Sequence, residues 1–187
     1  MNLSALKTTS VILAAAAIVV AGIVVLVQKD PLGVLVDDTR FSEEIAAAAK
    51  RHNVPPQLVR ALIFQESRFD PRARGSKGEI GLMQVLPKGA VADWARYHKV
   101  SSPAESDLFD PVQNLEIGCW YLGNALRRWK EYKCAVELAL AQYNAGGSRA
   151  KKWKPDTFDG DVLSRVTLPG TKQYIINITK RYRSYLK

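Results

Sequence analysis

The chain has 187 residues, with 27 Lys or Arg and 18 Asp or Glu, and its formal net charge is +9. Its length suits one domain of roughly 150 residues plus an additional segment, and a domain of that size folds without disulfides or a structural metal. The chain has two Cys, which an extracytoplasmic protein could in principle pair, and two His. Neither His has a Cys or another His at ligand spacing. We therefore predict neither a metal nor a cofactor.

The excess of positive charge is concentrated in the last part of the chain. Residues 147–187 contain ten Lys or Arg against three Asp, a net charge of +7. A solvated basic face would account for this charge, and so would attraction to an anionic polymer or a membrane surface. No nucleic-acid-binding motif accompanies the charge, so we predict no nucleic-acid partner.

The first part of the chain predicts a membrane anchor. Residues 11–27 (VILAAAAIVVAGIVVLV) contain no polar side chain, and as a helix they would span about 26 Å, close to the hydrocarbon thickness of a bilayer. The segment lacks a small-x-small cleavage site, and no Cys follows it that could carry a lipid. We predict that residues 1–27 are an uncleaved anchor with one span, that residues 28–38 are a tether, and that residues 39–187 form the folded domain.

The folded domain has helical signals almost throughout. Asp38 or Thr39 is predicted to cap a first helix, which continues through Ile45 and Ala49 and ends at Asn53. No strand pattern of useful length is present, although the turn-rich residues 68–80 could form a small hairpin at the wall of a cleft.

The second helix is predicted to begin at Pro55-Pro56 and to end near Ser67, and it carries a carboxylate on its apolar face. Glu66 shares this face with three aliphatic residues, Val59, Leu62 and Ile63. Partial desolvation and the negative end of the helix dipole both favour the neutral form of a carboxyl group there. Glu66 therefore has the profile of a general acid, and the simpler alternative is a Glu at a helix end that reaches solvent.

Four later helices follow from proline, capping and periodicity signals. The first is predicted from Pro87 to near His98, with Val91 and Trp94 facing inward, and the second from Pro111, capped by Asp110, to about Lys130. The third is predicted from about Cys134 to Tyr143, and the fourth from about Lys172 to Tyr185. The third of these should end in the turn Asn144-Ala145-Gly146-Gly147, which can project side chains into a cleft. The apolar stripes consist of Leu115, Cys119, Leu122, Leu126 and Trp129 on the long helix and of Tyr174, Ile175, Ile178 and Tyr182 on the last one.

The two cysteines are predicted to be separate thiols. Cys119 lies early in the long helix and Cys134 begins the next one, which places them roughly 16 Å apart in a tight helical hairpin. That separation is beyond the reach of a disulfide.

Three sequence blocks resemble the soluble lytic transglycosylase (SLT) family. They are Glu66-Ser67, Gly81-Leu82-Met83-Gln84 and Tyr143-Asn144-Ala145-Gly146, in the order that the family has them. The resemblance extends over roughly residues 40 to 187, and three ordered blocks are a more specific signal than any one tetrapeptide. It implies a mainly α, lysozyme-like fold, with at most a small hairpin of β structure.

The resemblance also implies a chemistry that uses one carboxylate. Glu66 would protonate the glycosidic oxygen of the β-1,4 bond between N-acetylmuramic acid and N-acetylglucosamine, and would then deprotonate the C6 hydroxyl, which closes on C1 to give a 1,6-anhydro product. The substrate and partner would be peptidoglycan, and cell-wall or secretion machinery proteins are further candidate partners. With the anchor, the expected location is the cytoplasmic (inner) membrane, single-pass, with the catalytic domain on the periplasmic or extracytoplasmic side.

The resemblance assigns substrate-binding roles to seven further residues: Ser67, Gly81, Met83, Gln84, Tyr143, Asn144 and Tyr174. Gly81 would let the backbone approach the glycan, and Gln84 would hydrogen-bond within the cleft. For Met83, Tyr143 and Tyr174, simple packing is the competing interpretation. Asn144 would fix its turn or hold an acetamido group, and Ser67 could equally be a capping or turn residue.

Two residues depart from the family pattern. Some members have Ser where this chain has Gly75, and many have a small residue where it has Glu79. Glu79 is expected to be a solvated loop carboxylate, but if it faced Glu66 it could activate water. A lysozyme-like peptidoglycan hydrolase is therefore one alternative to a lytic transglycosylase. A noncatalytic peptidoglycan-binding module is a second alternative.

Overall fold

The structure, a computed structural model, describes residues 36–187. The predicted anchor and nearly all of the predicted tether lie outside the described residues. Within residues 36–187, no helix is both long and apolar enough to cross a bilayer.

The described part of the chain is mainly helical, as predicted. Its only β pairing is two isolated antiparallel bridges, Arg74 with Ile80 and Ile80 with Val85, which form a small turn structure between helices. The helices are α1 (Ser42–His52), α2 (Pro56–Glu66), α3 (Ala92–His98), α4 (Pro111–Trp129), α5 (Ala135–Ala145), α6 (Gly147–Trp153) and α7 (Pro169–Ser184), with a π-helical turn (Pro87–Val91) before α3 and a 3₁₀ turn (Asp107–Phe109) before α4.

The helices pack around α4 and α5. α4 lies against α1 and α5, whereas α5 also contacts α6 and α7, and α2 packs on α7. The centre of the core consists of fully buried aliphatic side chains, among them Leu58, Leu62, Leu115, Leu122 and Leu138. Burial of one such side chain stabilises the fold by about 1.5–3 kcal/mol, and the packing of α2 on α7 brings the residues of the candidate site together.

Helix α1 ends as predicted and begins differently. Asn53, in the left-handed conformation at φ 55°, ends the helix, and its backbone N–H donates to the carbonyls of Ala49 and Lys50 in the last turn. The N-cap is Phe41 at φ 60°, without a side-chain cap, so the prediction of a cap by Asp38 or Thr39 is wrong. Asp38 instead accepts hydrogen bonds from Arg60 (3.2 Å) and from the Tyr185 hydroxyl (2.6 Å). Its carboxylate thus links α2 to the residue that follows α7.

Helices α2 and α4 confirm the proline signals. Pro56 is the first residue of α2 and Ser67 caps its end. Pro111 is the first residue of α4, where the carboxylate of Asp110 accepts a hydrogen bond from the backbone N–H of Gln113 at 2.9 Å. A proline tolerates the first turn because its missing N–H has no helical partner there.

Two elements after α5 differ from the prediction. The sequence predicted a turn after Asn144, but α6 begins at Gly147, directly after Gly146, whose φ of 86° lets the chain change direction in one residue. The last helix begins at Pro169, three residues before the predicted start at Lys172. Both cysteines are free, with Cys119 buried and Cys134 half-buried, which confirms the prediction of separate thiols.

Candidate active site

Glu66 is the last residue of α2, and its half-buried carboxyl group meets a tyrosine of α7. The hydroxyl of Tyr174 donates a hydrogen bond to Glu66 Oε1 at 2.5 Å. Tyr174 is 7% exposed, and it lines a groove beside the carboxyl group. The two residues are 108 positions apart in sequence, and the packing of α2 against α7 unites them.

The pKa of Glu66 is raised from 4.5 to about 7. Burial is the largest cause, because it disfavours the charged form. The hydrogen bond from Tyr174 lowers the pKa, and the negative charge of Glu79 raises it. Near pH 7, the carboxyl group therefore populates its protonated and ionised forms comparably, as a group that must first give and then take a proton requires.

Tyr174 and Tyr143 remain protonated at this pH. Burial and the nearby charge of Glu66 raise the pKa of each phenol well above its usual value of 10. Each hydroxyl is therefore a hydrogen-bond donor. Tyr174 donates to Glu66, and Tyr143 donates to the backbone carbonyl of Met83 at 2.8 Å.

The loop at residues 80–84, with one buried amide side chain at its centre, forms the wall beside Glu66, because Ser67 at the end of α2 bonds to it. The side chain of Asn114, on α4 and 0% exposed, donates from Nδ2 to the carbonyls of Ile80 (2.8 Å) and Leu108 (2.7 Å) and accepts the backbone N–H of Met83 at 2.8 Å. No role in the site was predicted for this residue. A polar residue one turn into α4, on the face that it shares with Leu115 and Gly118, is the signal that could have identified it.

Gly81 is buried against this asparagine. Its φ is 75°, and a Cβ there would lie 2.3 Å from Asn114 Nδ2 and 2.6 Å from the Leu108 carbonyl. The glycine is thus required by the protein's own packing. The close approach of its backbone to a glycan stays a prediction.

Met83 lies in the core. Its side chain is 0% exposed, its sulfur lies 3.9 Å from Cys119 Sγ, and it fills the space over Gly118. The prediction that its side chain contacts substrate is wrong, because no part of that side chain reaches the surface. Its carbonyl, which accepts the Tyr143 hydroxyl, is the atom that belongs to the site.

Ser67 and Gln84 bond to the loop backbone. The Ser67 hydroxyl donates to the carbonyl of Leu82 at 2.8 Å, which ties the end of α2 to the loop. Gln84 Nε2 donates to the carbonyls of Gly81 (2.9 Å) and Ala73 (3.2 Å). These hydrogen bonds hold the wall beside Glu66 in place, and the turn role considered for Ser67 agrees with its contacts.

Glu79 is half-buried and belongs to the same wall. Its Oε2 accepts the backbone N–H of Lys77 at 2.9 Å. A Cβ on Gly75 would lie 2.3 Å from that oxygen and 2.8 Å from Gln84 Oε1. The Glu79 carboxylate therefore occupies the space that any side chain at position 75 would need.

A groove with an amide-rich lining adjoins Tyr174 on the side of α7. Asn144 accepts a hydrogen bond from the Thr171 hydroxyl at 2.7 Å, and Gln173, Asn177 and Gln65 form a chain of amide hydrogen bonds. These residues line the groove together with Tyr174. Uncharged amides and hydroxyls are suitable partners for the hydroxyl and acetamido groups of a sugar chain.

A family model described as "Transglycosylase SLT domain" matches residues 43–162, which is more than half of the chain. The chain belongs to this family. The match includes Glu66, the 81–84 loop and Tyr143, whereas Tyr174 lies beyond it.

Two curated relatives are lytic transglycosylases by name. The chain is 39% identical over 117 residues to membrane-bound lytic murein transglycosylase C of Actinobacillus pleuropneumoniae, which covers 59% of this chain and 32% of that protein. It is 32% identical over 83 residues to membrane-bound lytic murein transglycosylase E of Buchnera aphidicola, with 44% and 38% covered. The chain thus spans less than half the length of these relatives.

A solved SLT structure confirms the fold. Lytic transglycosylase Slt of Pseudomonas aeruginosa, in an inactive mutant form, superposes with a TM-score of 0.72 at 26% identity, over 88% of this chain and 27% of that one. The resemblance predicted from three short blocks is therefore confirmed at the level of fold and family.

Proposed function

We propose that this protein is a membrane-anchored lytic transglycosylase that cleaves the β-1,4 bond between N-acetylmuramic acid and N-acetylglucosamine in peptidoglycan. The observation that carries the proposal is the Glu66 carboxyl group, whose pKa is raised to about 7 and which the Tyr174 hydroxyl orients. Family membership and the names of the relatives supply the substrate class.

In the first step, protonated Glu66 gives its proton to the glycosidic oxygen, and the bond from that oxygen to C1 of the muramic residue breaks. The substrate's own acetamido oxygen stabilises the positive charge that develops at C1. Tyr174 holds the carboxyl group in place by its hydrogen bond to Oε1, which reduces the freedom that the reacting groups must lose.

In the second step, the Glu66 carboxylate takes the proton of the muramic C6 hydroxyl, and the C6 oxygen forms a bond to C1. The product is a 1,6-anhydro sugar, no water is consumed, and Glu66 returns to its protonated form. One group acts as acid and then as base, so a pKa close to the working pH serves both steps.

The amide-lined groove is the proposed site for the glycan, with Asn144 and Tyr174 as contacts. We place the domain on the periplasmic side of the cytoplasmic membrane, held there by residues 11–27, because the substrate lies outside that membrane. Two relatives called membrane-bound support this assignment.

Product analysis tests the reaction. Mass spectrometry of digested peptidoglycan should show muropeptides lighter by one water than the hydrolytic products. Products with reducing ends alone would identify the lysozyme-like hydrolase instead, for which the charge of Glu79 near Glu66 is the favouring observation.

Replacement of Glu66 tests the assigned residue. Glu66→Gln should reduce the rate by about 10²–10⁴-fold, the usual contribution of a general acid or base, while the circular dichroism spectrum and glycan binding are retained. Glu131→Gln, a change of the same kind at an exposed position after α4, is the matched control. Full activity of the Glu66→Gln variant would remove Glu66 from the mechanism and favour neither enzymatic assignment.

A further inference from the structure

A second cavity shares no lining residue with the amide-lined groove. Its walls are α3, α4 and the junction of α5 with α6, and its volume is about 600 Å³. Tyr121, which lines this cavity, packs edge-on against Tyr143 with ring centroids 5.6 Å apart. The cavity therefore begins one side chain away from the candidate active site.

The lining differs from that of the groove because it is charged and aromatic. Trp120, Asn124 and Arg128 follow one another at intervals of four residues on α4, so they share one helix face. On the opposite wall, α3 contributes Asp93 and Arg96. Both signs of charge thus face one space.

Arg128 has no carboxylate partner among residues 36–187. Its guanidinium lies close to Gly147, where a Cβ would be 3.3 Å from Nη1. Asp93 pairs with Arg96 at 3.1 Å, but both side chains are exposed, and such a pair contributes only about 0–1 kcal/mol. A ligand with a carboxylate and an amine could therefore bind Arg128 and replace the weak Asp93 pair at little cost.

The rim of the cavity also presents an exposed aromatic ring. Tyr97 is 69% exposed, and its ring centroid lies 5.4 Å from that of Trp120. Exposed aromatic side chains at the edge of a cavity provide flat contact area for small apolar groups.

We propose that this cavity binds the stem peptide of peptidoglycan, with Arg128 receiving a peptide carboxylate and Asp93 the free amine of a diamino acid. The inference rests on the proposed function. The glycan carries hydroxyl and acetamido groups and no cation for Asp93, whereas the stem peptide carries both charges. A tetrapeptide in extended form spans about 13 Å. That is more than the 5.6 Å between the ring centroids of Tyr143, which precedes the proposed glycan contact Asn144, and Tyr121 in the cavity lining.

The decisive measurement compares two substrates with the full chain in detergent. One is uncross-linked glycan strands with their stem peptides, and the other is the same strands after an amidase has removed the peptides. Arg128→Gln should raise KM about tenfold on the peptide-bearing strands, the effect of one lost charged contact, with kcat unchanged, and should leave the kinetics on stripped strands unaltered. Lys130→Gln, an exposed loss of the same charge two residues later, should change neither.

A second variant and a binding assay test the proposal without any measurement of cleavage. Asp93→Asn should weaken binding of a soluble stem tetrapeptide, measured by calorimetry, but should have no effect when the amine of its diamino acid is acetylated. An equal rise in KM on both substrates would mean that the cavity holds sugar, and an unchanged KM on both would mean that it holds no part of the substrate; either result overturns the proposal. If neither strand were cleaved, the proposed function would fail, and tetrapeptide binding lost in Arg128→Gln would still support the peptide site.

Discussion

At the scale of single residues, two neighbours act on Glu66 in opposite directions. The Tyr174 hydroxyl stabilises the ionised form by its hydrogen bond and lowers the pKa, whereas the charge of Glu79 favours the protonated form and raises it. Replacement of one neighbour or the other should therefore shift the pH–rate profile to higher or to lower pH, with Glu66 itself unchanged.

Tyr174→Phe should move the alkaline limb of the pH–rate profile to higher pH. The variant loses the hydrogen bond that favours ionised Glu66, so the carboxyl group keeps its proton longer. The rate should also fall about tenfold, since a charged hydrogen bond of about 1.5 kcal/mol no longer orients the acid. A profile measured from pH 5 to 9 tests the prediction, and a shift of the limb to lower pH would contradict it.

Glu79→Gln should shift the same limb in the opposite direction, to lower pH. Removal of the negative charge makes ionisation of Glu66 easier, but burial remains, so the pKa should stay above 4.5. Gly75→Ser should reproduce the shift, because a side chain there displaces the Glu79 carboxylate. If the natural protein gave both anhydro and hydrolytic products and the Glu79→Gln variant gave no hydrolytic ones, Glu79 would be the water-activating group. An alkaline limb at the same pH in both proteins would show that the charge of Glu79 does not act on Glu66.

At the scale of elements, the loop at residues 80–84 depends on one side chain of α4. Asn114 satisfies three buried backbone groups. Each group left without a partner costs about 1–3 kcal/mol. Ser67 adds the hydrogen bond from the end of α2 to Leu82, so the loop that carries the Met83 carbonyl is held from two helices.

Asn114→Ala should reduce the free energy of unfolding by about 3 kcal/mol or more, given these orphaned groups. Urea unfolding followed by circular dichroism measures the loss. Asn124→Ala, at a half-buried position of the same helix, is a control that should cost less than about 1 kcal/mol, as is usual away from buried networks. Equal losses in the two variants would show that the hydrogen bonds of Asn114 are not special.

Local signals predicted some elements well and others not at all. Helices α2 and α4 were predictable because a proline at the first position and a cap fix a helix start independently of the rest of the chain. Helix α6 was missed because Gly146-Gly147 is also an ordinary turn signal, and the burial of Ala150 and Trp153, which favours a helix there, depends on tertiary packing. The predicted cap of α1 was wrong because Asp38 forms hydrogen bonds with Arg60 and Tyr185, which no local sequence pattern reveals.

At the scale of the whole molecule, the candidate site joins residues that are far apart in sequence. The sequence identified Glu66 by its position on an apolar face, and it singled out Tyr174 without showing that the two would meet. It also assigned Met83 to the cleft, whereas the long-range packing of α4 places that side chain in the core. Composition and periodicity carry no information about such contacts until the helices are packed.

Glu66 should also make the stability of the whole domain depend on pH. Its pKa is about 7 in the folded protein and close to 4.5 when the chain is unfolded. Between these values the folded state binds more protons, so the free energy of unfolding falls as pH rises from about 4.5 through about 7. The full difference corresponds to about 3 kcal/mol, at 1.36 kcal/mol per pKa unit.

Because glutamine has the shape of protonated glutamate and cannot ionise, Glu66→Gln should match the natural protein in stability at pH 4 and exceed it at pH 8. Urea unfolding of both proteins at the two pH values measures this difference, and subtraction of the two curves cancels the titration of all other groups. The site would then be a place where the fold gives up stability at alkaline pH to keep an acid protonated near neutrality. Parallel stability curves for the two proteins would instead mean that Glu66 titrates as an ordinary exposed carboxylate, and the single acid and base role would lose its physical support.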